Sequence, residues 1–448
     1  MGKIWEKESS KINKIIEDFT IGNDPLFDLD LAPYDVLGSL AHTSMLEKIG
    51  LLEPAELKAI QAELGHIYSN IEKGHFTIEE GVEDVHSQIE MMLTEKLGDL
   101  GKKIHSGRSR NDQVLVDLKL YMRDQIEEIT SKTETLIHEL LELADKNKKN
   151  LLPGYTHLQI GMPASFGQWF AAYAESLTED LEMLLAAYQL ANKNPLGSGA
   201  GYGTSFPLDR EMTTELLGFN QPHIGAINAQ MSRGKTELFL LQAINALANS
   251  LGKLAMDVCL YNSQNFGFIQ LPAEMTTGSS IMPHKKNPDV AELLRGKANK
   301  LKGAQTEMAL LLTNLPSGYH RDLQLTKEIV FPAINEMNEC LFITHFMVKN
   351  MKVKEGLLDD PKYDLLFSVE QVNKLVLEGM TFRDAYVKVG NMIDKGEFKA
   401  PSRELNHTHL GSIGNLGLNQ IKEQLKTILD KFDFSRKNDA IMKLINIK

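Results

Sequence analysis

The stretch "NDQVLVDLKLYMRDQIEEITSKTETLIHELLELADKNKKNLL", residues 111–152, contains neither proline nor glycine. Along it Leu115, Leu118, Met122, Ile126, Ile129, Leu136, Leu140 and Leu143 recur at steps of three, four or seven. That spacing is one face of a helix. A continuous helix over this stretch would run about 60 Å at 1.5 Å per residue, roughly twice the width of a small domain.

Working outward, the same pattern returns four times. After Pro163, with Ser165 and Gln168 as a possible capping box, the stripe is Phe166, Phe170, Tyr173, Leu177, Leu181, Leu184 and Tyr188. The most regular one is Leu240, Ile244, Leu247, Leu251, Leu254, Val258 and Tyr261. A further one carries Val290, Leu294, Leu301, Ala304, Met308 and Leu311, and the last spans residues 325–353 with a bend expected at Pro332. Steps alternating three and four are the pattern of bundles. The sequence therefore predicts an all-α protein with a central bundle over residues 108–355. Proline and glycine punctuate residues 1–107 and 356–448 into shorter helices and loops. Two of these are expected to start at Ser368 and Thr381 and to part near Gly379. No strand is expected. Rods this long have too much flank for one chain to cover, which points to an oligomer.

Composition narrows the class. The 448 residues carry 60 acidic and 48 basic side chains, a net charge of −12, which argues against a nucleic-acid or anionic-membrane partner. Cys259 and Cys340 are the only cysteines and have no metal-type spacing. Neither a signal peptide nor a myristoylation motif is legible in "MGKIWEKESS", where Glu6 stands in place of the required Ser or Thr. No run approaches the ~20 apolar residues of a membrane span. A soluble cytoplasmic protein is the expectation.

Three polar clusters interrupt the helices. In "TGSSIMPHKKNPD", residues 277–289, Asn287-Pro288-Asp289 reads as a helix N-cap, first position and first-turn acid. The free N–H groups of that helix start beside Lys285 and Lys286 suit an anion such as a carboxylate or phosphate. A solvated loop capping a helix explains the cap residues but not Gly278, Ser279 and Ser280. "HSGRSRNDQ", residues 105–113, offers Arg108 and Arg110 as carboxylate forks, with Ser109 and Asn111 as neutral donors; an Asn or Asp cap with surface arginines is an equal reading. "PGYTHLQ", residues 153–159, sets Thr156 and His157 at an element end, and "EDVH" adds His86. Two look-alikes fail. "GSGAGYG", residues 197–203, has Tyr202 or Thr204 at the third glycine of a dinucleotide loop and follows a helical pattern. "RGKTE" lacks the earlier glycine of a phosphate loop, having Ala229 there.

Together these clusters resemble the fumarase/aspartase superfamily, whose shared GSSxMPxKxNP loop is matched by "GSSIMPHKKNPD". "SGRSRNDQ", "YTHLQ" and "PSGYHRDLQLTKE", residues 316–328, make the chain most similar to the argininosuccinate lyase family, from about Phe19 through the carboxy-terminal region. The resemblance implies a three-domain fold whose long helices assemble into a multi-helix tetramer core. It also implies a cofactor-free, metal-free, reversible β-elimination of argininosuccinate to arginine and fumarate, in sites shared between three subunits. On it, Ser279 is the base, Lys285 stabilises the aci-carboxylate intermediate and Asn287 holds the same carboxylate. His157 acts on the acid side with Glu292 as its charge partner. Ser109, Arg110, Asn111 and Thr156 fall on the fumarate side; Tyr319, Gln324 and Lys327 fall on the arginine side. Asp28 and His86 match further positions near the site. The chain departs from the family's usual pattern at Asp24, Met162, His284 and residues 228–235, where Arg233 is kept. A sister lyase, such as one acting on adenylosuccinate, would be expected to alter "GRSRNDQ" and "DLQLTKE". A crystallin-like structural role would leave a stable oligomer with little turnover.

Overall fold

The computed structural model describes residues 14–400, 403 and 405–446. The amino-terminal stretch read above for a signal or acylation motif lies outside them. Six helices position the site: α1 (Asp24–Lys48), α2 (Arg110–Lys146), α3 (Phe166–Ala191), α4 (Lys235–Tyr261), α5 (Asp289–Leu311) and α6 (Thr326–Asn350). Helices α2 to α6 pack on one another as a bundle. The residues of the four leading stripes turn inward: Ile126, Leu140, Leu181, Leu251 and Leu294 are at most 1% exposed. Leu143, Tyr261, Val290, Ala304 and Leu311 pack against this core from its partly buried edge.

A second apolar cluster joins α1 to the helices Pro54–Glu72 and Val85–Leu97 through Val36, Leu40, Ile60, Leu64, Ile89 and Leu93. Helix α2 belongs to both clusters. Leu118 and Met122 face the bundle, whereas Val116 and Leu120 face the amino-terminal helices. The first turn of α2 is thus wedged between the two, and whatever chemistry it carries lies at their junction. A third, small cluster is built on Val372, Leu375, Ala385 and Val389. It belongs to the helices Ser368–Leu377 and Phe382–Asp394; the second is capped by Thr381.

Four details differ from the sequence reading. Helix α2 stops at Lys146, and Leu151–Thr156 (β1) pairs antiparallel with Gln159–Ser165 (β2) as a hairpin. The polar run "KNKKN" ends the helix by caps and turns, with Asn147 N–H bonded to the Leu143 carbonyl, instead of by proline or glycine. Helix α1 is 25 residues long and accepts Pro33 inside it. A mid-helix proline costs about 3 kcal/mol; here a row of buried side chains from Leu31 to Leu46 offsets it. Helix α5 begins at Asp289, so Pro288 is its N-cap and Asn287 lies outside. Finally, the stretch 226–261 is long and apolar enough on hydropathy alone to cross a membrane. Its apolar side, from Leu240 to Val258, is core.

Ser165 caps α3 by accepting the Gln168 N–H at 3.1 Å.

Candidate active site

The junction of α1, the start of α2 and the start of α6 encloses a cleft of about 140 Å³. Its walls include Asp24 and Asp28 of α1, His86, Arg110 and Asn111. Tyr319, Arg321, Gln324 and Lys327 complete it with Arg233, which precedes α4. Seven of the residues expected at the site therefore meet in a single chain, from three distant parts of the sequence.

Most of the charged groups among them are held by a specific partner. Lys327 donates to Asp28 at 2.5 Å and to Asp24 at 2.6 Å. The other oxygen of Asp28 accepts the Val85 N–H at 3.2 Å. Arg110 bonds Glu83 at 2.9 Å, Asp84 at 3.1 Å and the Ser87 hydroxyl at 2.8 Å. Arg321 bonds Glu83 at 3.3 Å, and Gln324 donates to the Thr20 and Ile21 carbonyls. Arg233 donates to the Leu323 carbonyl at 3.0 Å and sits 3.5 Å from Glu237, which ties α4 to the start of α6.

His86 is 6% exposed, and its Nδ1 lies 3.0 Å from Asp35 and 3.6 Å from Asp117. Burial alone would lower its pKa. The charge and hydrogen bond of Asp35, with Asp117 and Asp84 behind them, outweigh burial and raise it to about 9. It is an imidazolium at neutral pH, a fixed positive charge beneath the cleft. Asp35, His86 and Asp117 could each offer one ligand atom to a cation, all within 4.8 Å. The direct His86–Asp35 contact already occupies that imidazole nitrogen.

Ser109 caps α2 in a capping box with Asp112, whose carboxylate accepts the Ser109 N–H at 2.8 Å. The second oxygen of Asp112 takes the N–H groups of Gly197 and Gly199 at 3.0 and 2.8 Å. The glycine-rich stretch that looks like a nucleotide loop thus spends two amides on a protein carboxylate. Burial pushes Asp112 up to about 6 despite those donors.

The remaining expected residues lie on two projections that do not line this cleft. Thr156 and His157 are exposed at the tip of the β1–β2 hairpin. His157 and Leu158 both have positive φ, +54° and +57°, the two-residue hairpin geometry that normally takes Asn-Gly. A backbone in this region costs on the order of 1 kcal/mol per residue for side chains of this kind. The second projection is the loop before α5. Its neck is closed by Thr277 and Asn287, which exchange backbone hydrogen bonds at 3.2 and 2.9 Å. The Thr277 hydroxyl donates to Asp289 in the first turn of α5. Within the loop the Ser279 Oγ accepts the N–H of Ile281 at 3.4 Å and of Met282 at 3.2 Å. Lys285 and Glu292 are exposed.

Sequence reading missed Glu83, Asp84, Asp35 and Asp117 as members of this site. A signal was present for the last two. Each carboxylate adjoins a core residue, Val36 and Leu118, and both are at most 1% exposed, which is unusual unless paired.

Comparisons with known proteins place the chain in a family. Residues 6–303 match a family model described as lyase. The argininosuccinate lyase of Parabacteroides distasonis is 55% identical over 444 residues, 99% of either chain. That of Bacteroides thetaiotaomicron is 56% identical over 432 residues, 96% of either chain. Among solved structures, EDDS lyase in complex with formate superimposes with a TM-score of 0.78 at 20% identity, covering 97% of this chain and 94% of that one. A fumarate lyase, delta crystallin, from Brucella melitensis bound to cobalt gives 0.71 at 16% identity, covering 94% of each. At such identities the two structures speak for the fold alone. By its full-length relatives, the chain belongs to the argininosuccinate lyase family.

Proposed function

We infer that the protein catalyses the reversible elimination of argininosuccinate to L-arginine and fumarate, without a cofactor. The observation that carries this reading is the Ser279 hydroxyl, whose oxygen receives two backbone N–H groups. A serine is a poor base in water; donors aimed at its oxygen and nearby cationic charge stabilise the alkoxide it needs to become. Ser279 takes the proton from the carbon next to a succinyl carboxylate. The electron pair moves onto that carboxylate, and the Lys285 ammonium, with the Asn287 amide, holds the resulting dianion. The pair then returns to form the fumarate double bond as the C–N bond breaks. His157, paired with Glu292, delivers a proton to the departing guanidino nitrogen, directly or through one water.

The cleft receives the two ends of the substrate. Ser109, Arg110, Asn111 and Thr156 serve the fumarate side, and Tyr319, Gln324 and Lys327 serve the arginine side, with Asp28 and His86 fixing the lysine and the local charge. Because neither the hairpin tip nor the Ser279 loop lines this cleft, each complete site in this reading takes them from neighbouring copies in a homotetramer. Exposed apolar side chains beside both projections support that assembly: Leu158 is 73%, Ile160 43% and Ile281 84% exposed. The three-part division at residues 107 and 355 belongs to the same reading.

Ultraviolet absorbance of fumarate tests it. Purified protein should release fumarate from argininosuccinate and not from adenylosuccinate or aspartate, and Ser279→Ala should lower the rate about 10³-fold or more with unchanged circular dichroism. An active Ser279→Ala enzyme would remove Ser279 from the role of base.

A further inference from the structure

Lys327 has one positive charge and two carboxylates. Asp28 already suffices for it: at 1% exposed, it gives one oxygen to the Lys327 ammonium and the other to the Val85 N–H. Asp24 contributes only one oxygen to Lys327, and its side chain is 17% exposed in the wall of the cleft. The neighbouring guanidinium groups are hydrogen-bonded or close to other acids. Arg110 pairs with Glu83 and Asp84, Arg321 with Glu83, and Arg233 faces Glu237. The arginine-side corner of the cleft thus sets two carboxylates on one ammonium, and Asp24 is the more exposed of the two. Burial, reinforced by repulsion from Asp28 and only partly offset by Lys327 and Arg233, holds the Asp24 carboxyl above its ordinary range. A carboxylate in that condition gains from a further cation.

We propose that Asp24 receives the α-ammonium of the arginine half of the substrate, making the site select a free α-amino group over an acylated one. Lys327, in a wall that Tyr319 and Gln324 also line, faces the α-carboxylate. The Lys327–Asp24 pair is complementary to the zwitterionic end of an amino acid, charge for charge. Acylating the amino group turns the cation into a neutral amide and leaves Asp24 facing it without compensation.

This rests on the function proposed above, and the test separates the two. L-Arginine, Nα-acetyl-L-arginine and 5-guanidinopentanoate, the arginine skeleton without its amino group, are compared as inhibitors of fumarate release. Arginine should bind about tenfold or more tightly than either analogue, the size of effect expected from one charged hydrogen bond. Asp24→Asn should bring the three to within about threefold of one another, and Asp24→Glu should retain part of the preference. Analogues that match arginine on the wild-type protein overturn the proposal, whether or not a variant folds. So does a folded Asp24→Asn protein with the preference unchanged. If argininosuccinate gives no fumarate at all, the proposed reaction fails, and the same three ligands compared by calorimetry still decide the role of Asp24.

Discussion

His86 illustrates how a single residue is defined by its neighbours. In the sequence it is one of 13 histidines, and a lone histidine near an apolar run is most often a core residue. Between Asp35 and Asp117 it becomes an imidazolium with a pKa near 9, against a usual 6.5. Because the folded value is the higher one, the proton is bound more tightly in the native state. The resulting stabilisation is complete below about pH 6.5 and is lost as the pH rises through about 9. Melting temperature measured from pH 6 to pH 10 should therefore fall across the upper half of that range, and His86→Gln should flatten the fall. A wild-type profile level to pH 10 would contradict the assignment of charge. Ser279 shows the same dependence on surroundings, since its oxygen is made a better anion only by the turn that places two amides on it.

At the scale of elements, the β1–β2 hairpin is the feature that local pattern could not supply. "LLPGYTHLQIGMPAS" has no clean alternation, and its register shifts between Pro153 and Tyr155. Its shape depends on a close approach: a Cβ built on Gly154 would lie 2.6 Å from the Met162 carbonyl oxygen on the facing strand. Gly154→Ala should push the strands apart and misplace Thr156 and His157, while the helical core, built elsewhere, stays folded. The expected outcome is a loss of about 10²-fold in kcat/KM, the penalty typical of misplacing a catalytic group by about 1 Å, with little change in helical circular dichroism. Near-normal kcat/KM would show that the hairpin tip does not carry catalytic groups.

At the scale of the molecule, the long helices keep apolar flanks in solvent. Leu293 and Leu310 of α5 and Phe342 of α6 are 64%, 70% and 64% exposed. Exposed apolar faces of this kind mark interaction surfaces, and the proposed function would give a partner copy there a chemical task. If sites are assembled across copies, Ser279→Ala and His157→Asn proteins, each inactive alone, should regain part of the activity when refolded together, because some mixed sites draw both intact residues from different chains. Phe342→Glu should yield smaller particles by light scattering and lose activity with them. A fully active monomer would end the shared-site reading.

The periods of three and four in five segments determined, from the sequence alone, an all-α protein built on a bundle, because helix-face spacing is a short-range property of the chain. The sequence reading likewise named seven of the side chains that line the cleft. Tertiary structure decided which acid meets which base. Asp28 and Lys327 are 299 residues apart, and only the packing of α1 on the starts of α2 and α6 brings them to one cleft. It also decided that the 197–203 glycines serve Asp112, that α2 yields to a hairpin, and that Asp24 is a second acid on one lysine. No local pattern encodes those pairings, because a charge pair across the chain exists only once burial has removed the water that would otherwise solvate each partner.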